Sequence, residues 1–468
     1  AAEEQRLSFI AAGAALLWAV HPLRVEPVAW ISCTAHGLCF CFCLLATLRY
    51  LKTDFSTPVW RQSAYWHALL LFFGALLTFP LPLGYGAVFL ALNVFPLRRL
   101  PLAGIRDLTG SQARRVAGEL LPFLGLSLLM AAVALYCRWS VQGTFGNPVT
   151  WADYPLIDRC MQAAYVWMFY VWKTIFPLNL SAMYLDLTEL SGFDWPFLAS
   201  ALALAGAGIL LIRRRTEWPG ALAVFIAHVG ILVPVLGLTE RPHFPGDRYS
   251  LIDGAILTAG FFGWVWVYAR RVQLSVVTGI AGILAVLLAG ASFRQTLIWL
   301  DDRTFFTHLT EHLADGGQRG MAFVRLAGTY QREGDLALAA RLYAAAYRTH
   351  PGYPTIDLFL PYGMVLEGLG EDRAAARQYQ AAIRLEPGHP EAWKRLGLIL
   401  LRAGEPDLAA GLLNAAEKTH SQDPDLLLTF AEGFLAAGHS ALASELTERA
   451  AVLDRRNPRV AALRKLLP

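Results

Sequence analysis

The sequence predicts an all-α protein in two parts, a polytopic helical membrane body followed by an α-solenoid. Three observations carry that prediction. Up to residue 293, apolar runs long enough for a bilayer alternate with Arg-marked loops. From residue 320 to residue 468 the chain repeats itself at intervals near 34 residues. Charge is concentrated in the last third. The expected divisions are a transmembrane domain over 1–293, a linker helix over 294–319 and a repeat domain over 320–468.

At 468 residues the chain is too long for a single core. Hydrophobic residues make up 56% and charged residues only 16%, more apolar than ordinary globular usage. A net charge of +4, with no dense Lys/Arg stripe, argues against a nucleic-acid partner. All six cysteines lie in the apolar part, and in Cys39-Phe40-Cys41-Phe42-Cys43 the spacing puts them on different faces of a helix. With no His or carboxylate beside them, they read as small packing residues and not as metal ligands. The chain opens Ala1-Ala2-Glu3-Glu4, an acidic lead unlike a signal peptide's basic start, so it is expected to be a fragment or a processed form.

Spans are expected at about 7–20, 27–51, 65–79, 81–96, 118–137, 195–212, 220–239, 250–269 and 274–293. Pro80 and Pro82 divide the run at 65–96 into two short helices. Trp18, Trp30, Tyr50, Trp60 and Trp66 sit near span ends, as interfacial anchors do. Positive charge sets the orientation: Arg98, Arg99, Arg106, Arg114 and Arg115, then Arg213–Arg215, then Arg270-Arg271, should face the cytoplasm. Counting spans outward puts the turn 21–26, the loops 138–158 and 240–249, and everything after 294 on the opposite side. The segment 159–177 breaks that parity. It reads as a re-entrant or interfacial helix ending near Lys173, the alternative being a full crossing with one other span misread.

In the last third, Gly334, Gly370, Gly404 and Gly438 recur in register. Each is followed five residues later by Ala339, Ala375, Ala409 or Ala443, and seven further on by Ala346, Ala382, Ala416 or Ala450. This is the tetratricopeptide pattern, with Gly in the turn and small residues where two helices cross closely. Pro351 and Pro387 close the first two units; Ser421 and Arg455 stand at the later positions. The stretch 459–467 fits a capping helix. Stacked repeats of this kind hold a peptide or protein partner, and their mixed charges predict no single-sign groove.

Between the two parts, His308-Leu309-Thr310-Glu311-His312 matches a zinc-protease pattern, whose two His would share a helix face. No third ligand or cleft of its own accompanies it. It therefore reads as the polar face of a packing helix, and no metal site is expected.

Two loops are polar where a connector could be bland: His21-Pro22-Leu23-Arg24-Val25-Glu26-Pro27, and 237–249, which carries Glu240, Arg241, His243, Asp247, Arg248 and Tyr249. Ionisable groups at a membrane edge are costly unless solvated or paired. The loops are either a site or wet connectors with local salt bridges. Together with Phe95-Pro96-Leu97-Arg98-Arg99, with Lys173-Thr174-Ile175-Phe176-Pro177 followed by Leu180, Ser181 and Tyr184, and with Asp247-Arg248-Tyr249-Ser250, they resemble bacterial relatives of the transmembrane and tetratricopeptide repeat O-mannosyltransferase-like family. The similarity runs nearly the whole chain in order. It implies a membrane body like the C-type glycosyltransferase fold, in the bacterial inner membrane, with the repeats periplasmic. Such a protein moves a sugar from a polyprenyl-phosphate donor to an acceptor on the outer face. In that fold an acidic residue of the first outer loop is the general base. That loop is expected upstream of Ala1, so the catalytic acid is not assigned. Basic residues hold the donor phosphate: Arg248 and Lys173 suit this, with Arg24 a weaker candidate. Glu26 and Asp247 would orient those cations or a sugar hydroxyl, and His21, His243 and Tyr249 complete the candidate set. The sequence departs from its relatives at Cys33-Thr34-Ala35-His36, where they carry an acidic-basic-basic-Asp run, and at Thr78-Phe79-Pro80, where they place a Lys. The alternative to an enzyme is a membrane-anchored scaffold whose repeats recruit envelope proteins.

Overall fold

The computed structural model describes residues 2–104, 109–140, 152, 154–184, 187, 191–238, 245–268, 272–349, 355–420 and 423–467. Arg106, Arg270, Arg271, Pro351 and Ser421 lie outside them, as do Glu240, Arg241 and His243. No strand occurs among the described residues, and the chain divides into two compact units, Ala1–Leu300 and Asp301–Pro468.

The first unit holds α1 (Ala2–Ala19), α2 (Val25–Ala29), α3 (Thr34–Leu51), α4 (Ser63–Thr78), α5 (Gly86–Val94) and α6 (Ser111–Ser140). These are followed by α7 (Leu156–Ile175), α8 (Trp195–Arg213), α9 (Pro219–Leu232), α10 (Ser250–Tyr268) and α11 (Leu274–Leu297). Five stretches are long and apolar enough to cross a membrane: Ile31–Leu51, Ser111–Cys137, Trp195–Arg213, Asp247–Tyr268 and Leu274–Leu297. Glu3–Ala19 with Pro22–Ala29, bent by 61°, would make a sixth. Helices α4, α5 and α9 are apolar but, at 16, 9 and 14 residues, shorter than the roughly 20 a straight span needs. The run expected as one span over 27–51 is broken. Trp30 is extended, and a 3-10 turn over Ile31–Cys33 separates α2 from α3. The last helix also runs past the expected edge at 293, to Leu297.

Lipid gives apolar helices no hydrophobic reason to associate, so close fit and polar contacts hold them. Tyr50, Tyr65, Phe72, Phe89 and Phe123 are fully buried and meet ring to ring, with Phe89 and Phe123 centroids 4.5 Å apart. Each such pair contributes about 0.5–1.5 kcal/mol beyond its area. Glu119 joins α6 to the preceding loop by an ion pair to Arg99 (2.6 Å), and Arg115 on the same helix also pairs with it (3.1 Å). Leu202, Ile283 and Val286 point outward as lipid-facing residues do. Of the cysteines, Cys33, Cys39 and Cys43 are buried, while Cys41, Cys137 and Cys160 are exposed and no disulfide forms.

Helix α7 differs from the rest. Arg159, Gln162, Val166, Phe169, Tyr170 and Lys173 form one buried face at helical spacing, while Leu156, Trp172 and Ile175 are exposed. Its N-terminal end meets 237–238 through Arg159, and its C-terminal end meets His21 through the Thr174 carbonyl.

The second unit is a helical ladder. It comprises α12 (Asp302–His312), α13 (Gly317–Glu333), α14 (Leu336–Thr349), α15 (Ile356–Gly368), α16 (Asp372–Leu385) and α17 (Pro390–Arg402). It continues through α18 (Pro406–His420), α19 (Pro424–Ala436), α20 (Ser440–Leu453) and α21 (Pro458–Leu466). Gly334, Gly370, Gly404 and Gly438 all take the left-handed conformation, with φ of 89°, 78°, 77° and 85°. The next residue's N–H closes a Schellman bond back to Tyr330, Leu366, Leu400 or Phe434. Ala339, Ala375, Ala409 and Ala443 are fully buried at the next helix crossings. Val460 and Leu463 of α21 cover the end of the core. In α12 the His308 and His312 rings stack 4.1 Å apart, and His312 Nδ1 lies 2.9 Å from the His308 carbonyl oxygen. No group of three metal-ligating residues occurs among the described residues.

Candidate active site

The geometry starts at His21, whose extended backbone is fixed by the proline after it. Its Nδ1 accepts the Leu23 N–H at 3.3 Å, so Nε2 carries the proton and donates to the Thr174 carbonyl at 3.1 Å. The contact at Nδ1 demands the neutral ring, and burial with Arg24 nearby pushes the His21 pKa down to about 4. His21 is thus a clasp between the first polar loop and α7.

Three residues on, Arg24 donates Nη1 to the Ser250 carbonyl at 2.7 Å, and its guanidinium lies 5.5 Å from the Trp18 ring. It runs so close to α10 that a Cβ on Gly254 would overlap Nη2. Glu26 is buried and uses both oxygens on one residue: Oε2 accepts the Arg248 N–H at 2.8 Å and Oε1 accepts Arg248 Nη1 at 2.6 Å. Arg248 also donates Nη2 to the Tyr249 hydroxyl at 3.1 Å and sits 5.5 Å from the Trp30 ring. Its side chain stays 21% exposed against 1% for Glu26, so the arginine is the partner that faces outward.

Asp247 accepts the Tyr184 hydroxyl at 2.6 Å, and its carbonyl accepts Ser250 Oγ at 2.5 Å. Tyr170 braces the same turn, donating to the Gly246 carbonyl at 3.0 Å. Lys173 donates to the carbonyls of Leu178 (2.5 Å) and Asn179 (3.2 Å), with Nζ 5.1 Å from the Tyr184 ring. Burial draws the Lys173 pKa down, against the pull of Asp247, and burial with that carboxylate holds Tyr184 well above its ordinary value.

The structure therefore draws His21, Arg24, Glu26, Lys173, Asp247, Arg248 and Tyr249 into one connected network; His243 lies outside the described residues. Both carboxylates are engaged as acceptors, so they orient other groups. Chemically, the arrangement can bind an anion at Arg248, on a turn fixed by Glu26 and Tyr170.

Sequence reasoning missed His228 and Asp253. His228 Nδ1 lies 2.7 Å from Asp253 Oδ1, with both residues buried in the membrane body and Asp253 within electrostatic range of Arg24. The available signal was an ionisable residue inside each of two apolar runs. His36 was also passed over as a site residue. It is buried against Phe79, with ring centroids 3.9 Å apart, and lies 6.0 Å from Tyr249.

A helical membrane body with a charged cluster at one end, and a ladder of helical pairs with left-handed Gly turns, define an all-α membrane protein carrying tetratricopeptide repeats. The tetratricopeptide repeat family model matches residues 363–424. Over 226 residues, 44% of this chain, the sequence is 29% identical to the human Protein O-mannosyl-transferase TMTC4, a match that takes in 27% of that protein's length. The chain thus resembles that protein over part of its length, spanning about a quarter of it, and carries tetratricopeptide repeats. Solved structures similar to it include YrrB, described as a TPR protein with an unusual peptide-binding site (20% identity, 39% of this chain and 89% of that one, TM-score 0.31). MamA is another (16% identity, 36% and 91%, TM-score 0.29).

Proposed function

We propose that the membrane body is a glycosyltransferase that moves a sugar from a polyprenyl-phosphate donor to an acceptor on the periplasmic face of a bacterial inner membrane. The repeats hold the acceptor or a partner protein. In the reaction the bond from the anomeric carbon to the phosphate oxygen breaks and one to the acceptor oxygen forms. The acceptor's hydroxyl proton goes to a base, and the lipid phosphate leaves. What supports the reading is Arg248: an outward-facing guanidinium locked by Glu26 at 2.6 Å and 5.5 Å from the ring of Trp30, in a stretch where Val28 and Ile31 are exposed. A preorganised cation of this kind stabilises a departing phosphate without reorganising. Lys173 and Arg24 line the same network, while Glu26 and Asp247 position and do not react.

The test is transfer of a labelled sugar from a polyprenyl-phosphate donor by the full chain in vesicles. Arg248→Ala should lower transfer by about 10²–10³-fold. Arg248→Lys, which keeps Glu26 compensated but loses the planar fork, should also fall while melting as the parent does. Unchanged transfer in both would remove Arg248 from the reaction. One observation favours the scaffold reading instead: both loop carboxylates already have partners, leaving the base unassigned. Absence of transfer with every polyprenyl donor, alongside partner binding by the repeats, would establish the scaffold.

A further inference from the structure

We propose that His36 is a sugar-binding residue of the membrane body, its ring nitrogens pairing with hydroxyls of a sugar whose phosphate sits on Arg248. This rests on the glycosyltransferase reading and adds the group that tells a glycosylated donor from a bare lipid phosphate.

His36 lies in the first turn of α3, inside the stretch Ile31–Leu51 that is apolar enough to cross a membrane. It is 7% exposed, and neither ring nitrogen makes a hydrogen bond. The other buried histidines of this unit differ. His21 uses both nitrogens, on the Leu23 N–H and the Thr174 carbonyl, and His228 sets Nδ1 against Asp253. The Cys33 carbonyl, three residues earlier, approaches the His36 ring without completing a hydrogen bond. A polar atom buried without a partner is costly, and more so where lipid replaces water. An ionisable residue kept at such a place in a span marks a site.

Aromatic neighbours fix the ring. Pro80 forces the residue before it out of helical conformation, so α4 ends at Thr78 and Phe79 is extended. The Phe79 and His36 ring centroids then lie 3.9 Å apart. Tyr249 lies 6.0 Å from His36 and 6.4 Å from Phe79, and its hydroxyl accepts Arg248 Nη2 at 3.1 Å. His36 is thus one aromatic residue away from the outward guanidinium and within its electrostatic range.

Hydrogen-bond chemistry selects the ligand class. A neutral imidazole has one N–H donor and one bare acceptor nitrogen. The ionised phosphate of a glycosyl phosphate only accepts, so it would leave the second nitrogen unpaired. A hydroxyl both donates and accepts. Sugar hydroxyls therefore match His36 in full, and those beside the anomeric carbon stay close to a phosphate on Arg248.

The experiment measures binding of polyprenyl phosphate, bare or bearing mannose, glucose or galactose, to the full chain in detergent micelles without acceptor. At least one glycosylated lipid should bind about tenfold more tightly than the bare one. His36→Phe keeps an aromatic ring on Phe79 and removes both nitrogens. It should erase that preference while binding bare polyprenyl phosphate as the parent does. His36→Gln restores a donor and an acceptor, and should recover part of the preference. Removing the hydroxyls of the favoured sugar one at a time should weaken parent binding about tenfold at one position, and His36→Phe hardly at all. A sugar preference that survives His36→Phe, or none for any sugar in the parent, overturns the inference while leaving lipid-phosphate binding intact. Loss of bare-lipid binding in His36→Phe would make His36 a packing residue and overturns it too. Failure of bare polyprenyl phosphate to bind the parent overturns the glycosyltransferase reading as well.

Discussion

Arg248 is held from two directions by one carboxylate, since Glu26 takes its backbone N–H and its Nη1 together. The backbone bond sets the turn, and the side-chain bond sets where the guanidinium points. A buried pair of this kind costs more to break singly than to remove, because the survivor is left desolvated and unpaired. Glu26→Gln keeps the shape and removes the charge. It should destabilise the protein by about 3 kcal/mol, the low end for a buried pair because Arg248 is partly exposed. Glu26→Gln with Arg248→Gln should recover part of that loss. Melting both single variants and the double beside the parent in one detergent decides it; a double variant as unstable as the sum of the singles would show that the two residues do not act as a pair. Polar residues in connecting loops were legible in the sequence because several ionisable groups cluster there between apolar runs. The His228–Asp253 pair was not, since each sits alone in a hydrophobic run and their meeting depends on how α9 packs on α10. From the sequence, Glu26 and Asp247 could orient either the cations or a sugar hydroxyl, and in the structure Glu26 accepts from Arg248 with both oxygens while Asp247 accepts from Tyr184.

At the scale of elements, some chain breaks are announced by residue type and others are not. Pro80 and Pro82 part α4 from α5 as expected, while the break at Trp30 lies in an apolar stretch whose composition hides it. The fit between α9 and the turn before α5 depends on two glycines. A Cβ on Gly84 would overlap the Gly230 carbonyl, and one on Gly230 would overlap the Cβ of Ala87. Neither neighbour is a flexible side chain that can swing away. Gly84→Ala and Gly230→Ala should therefore each destabilise the membrane body by about 1–3 kcal/mol through overpacking. Gly118→Ala, in α6 with nothing within 4 Å of its Cβ, should be neutral or slightly stabilising, as Ala is the better helix former. Thermal melts of the three variants check the contrast, and equal effects at all three would mean the crossing is looser than its geometry. The repeat half was legible almost residue by residue, because Gly in the turn and Ala at the crossing are local requirements recurring in register. The membrane half was legible only in outline, since lipid-facing and core residues are equally apolar.

Over the whole membrane body, charge divides by end. Arg215 donates to the carbonyls of Leu102 (2.6 Å) and Ala103 (3.1 Å), so the basic turn after α8 lies beside the basic segment after α5. Helix α3 runs from the site, where His36 approaches Tyr249, to the Arg99 end, where Tyr50 meets Asn93. Its 18 residues span about 27 Å, close to the thickness of a hydrocarbon core. The basic end and the candidate site are therefore one membrane apart. Helix α7 meets 237–238 at its N-terminal end and His21 at its C-terminal end, and as an interfacial helix it would keep the parity of the Arg-marked loops. The chain also leaves this unit at the site end: Ser292 bonds the Val20 carbonyl at 2.6 Å, and Trp299 lies 6.1 Å from Trp30. The positive-inside rule assigns the basic end to the cytoplasm, so the chain after Leu300 is expected to start on the outer side. Single cysteines placed in the repeats, which have none of their own, test this in a background with the six native cysteines replaced. A thiol reagent that cannot cross the inner membrane should label them in intact spheroplasts, while a cysteine at Arg214 should react only after lysis. The reverse pattern would invert the topology and take the site away from any periplasmic acceptor.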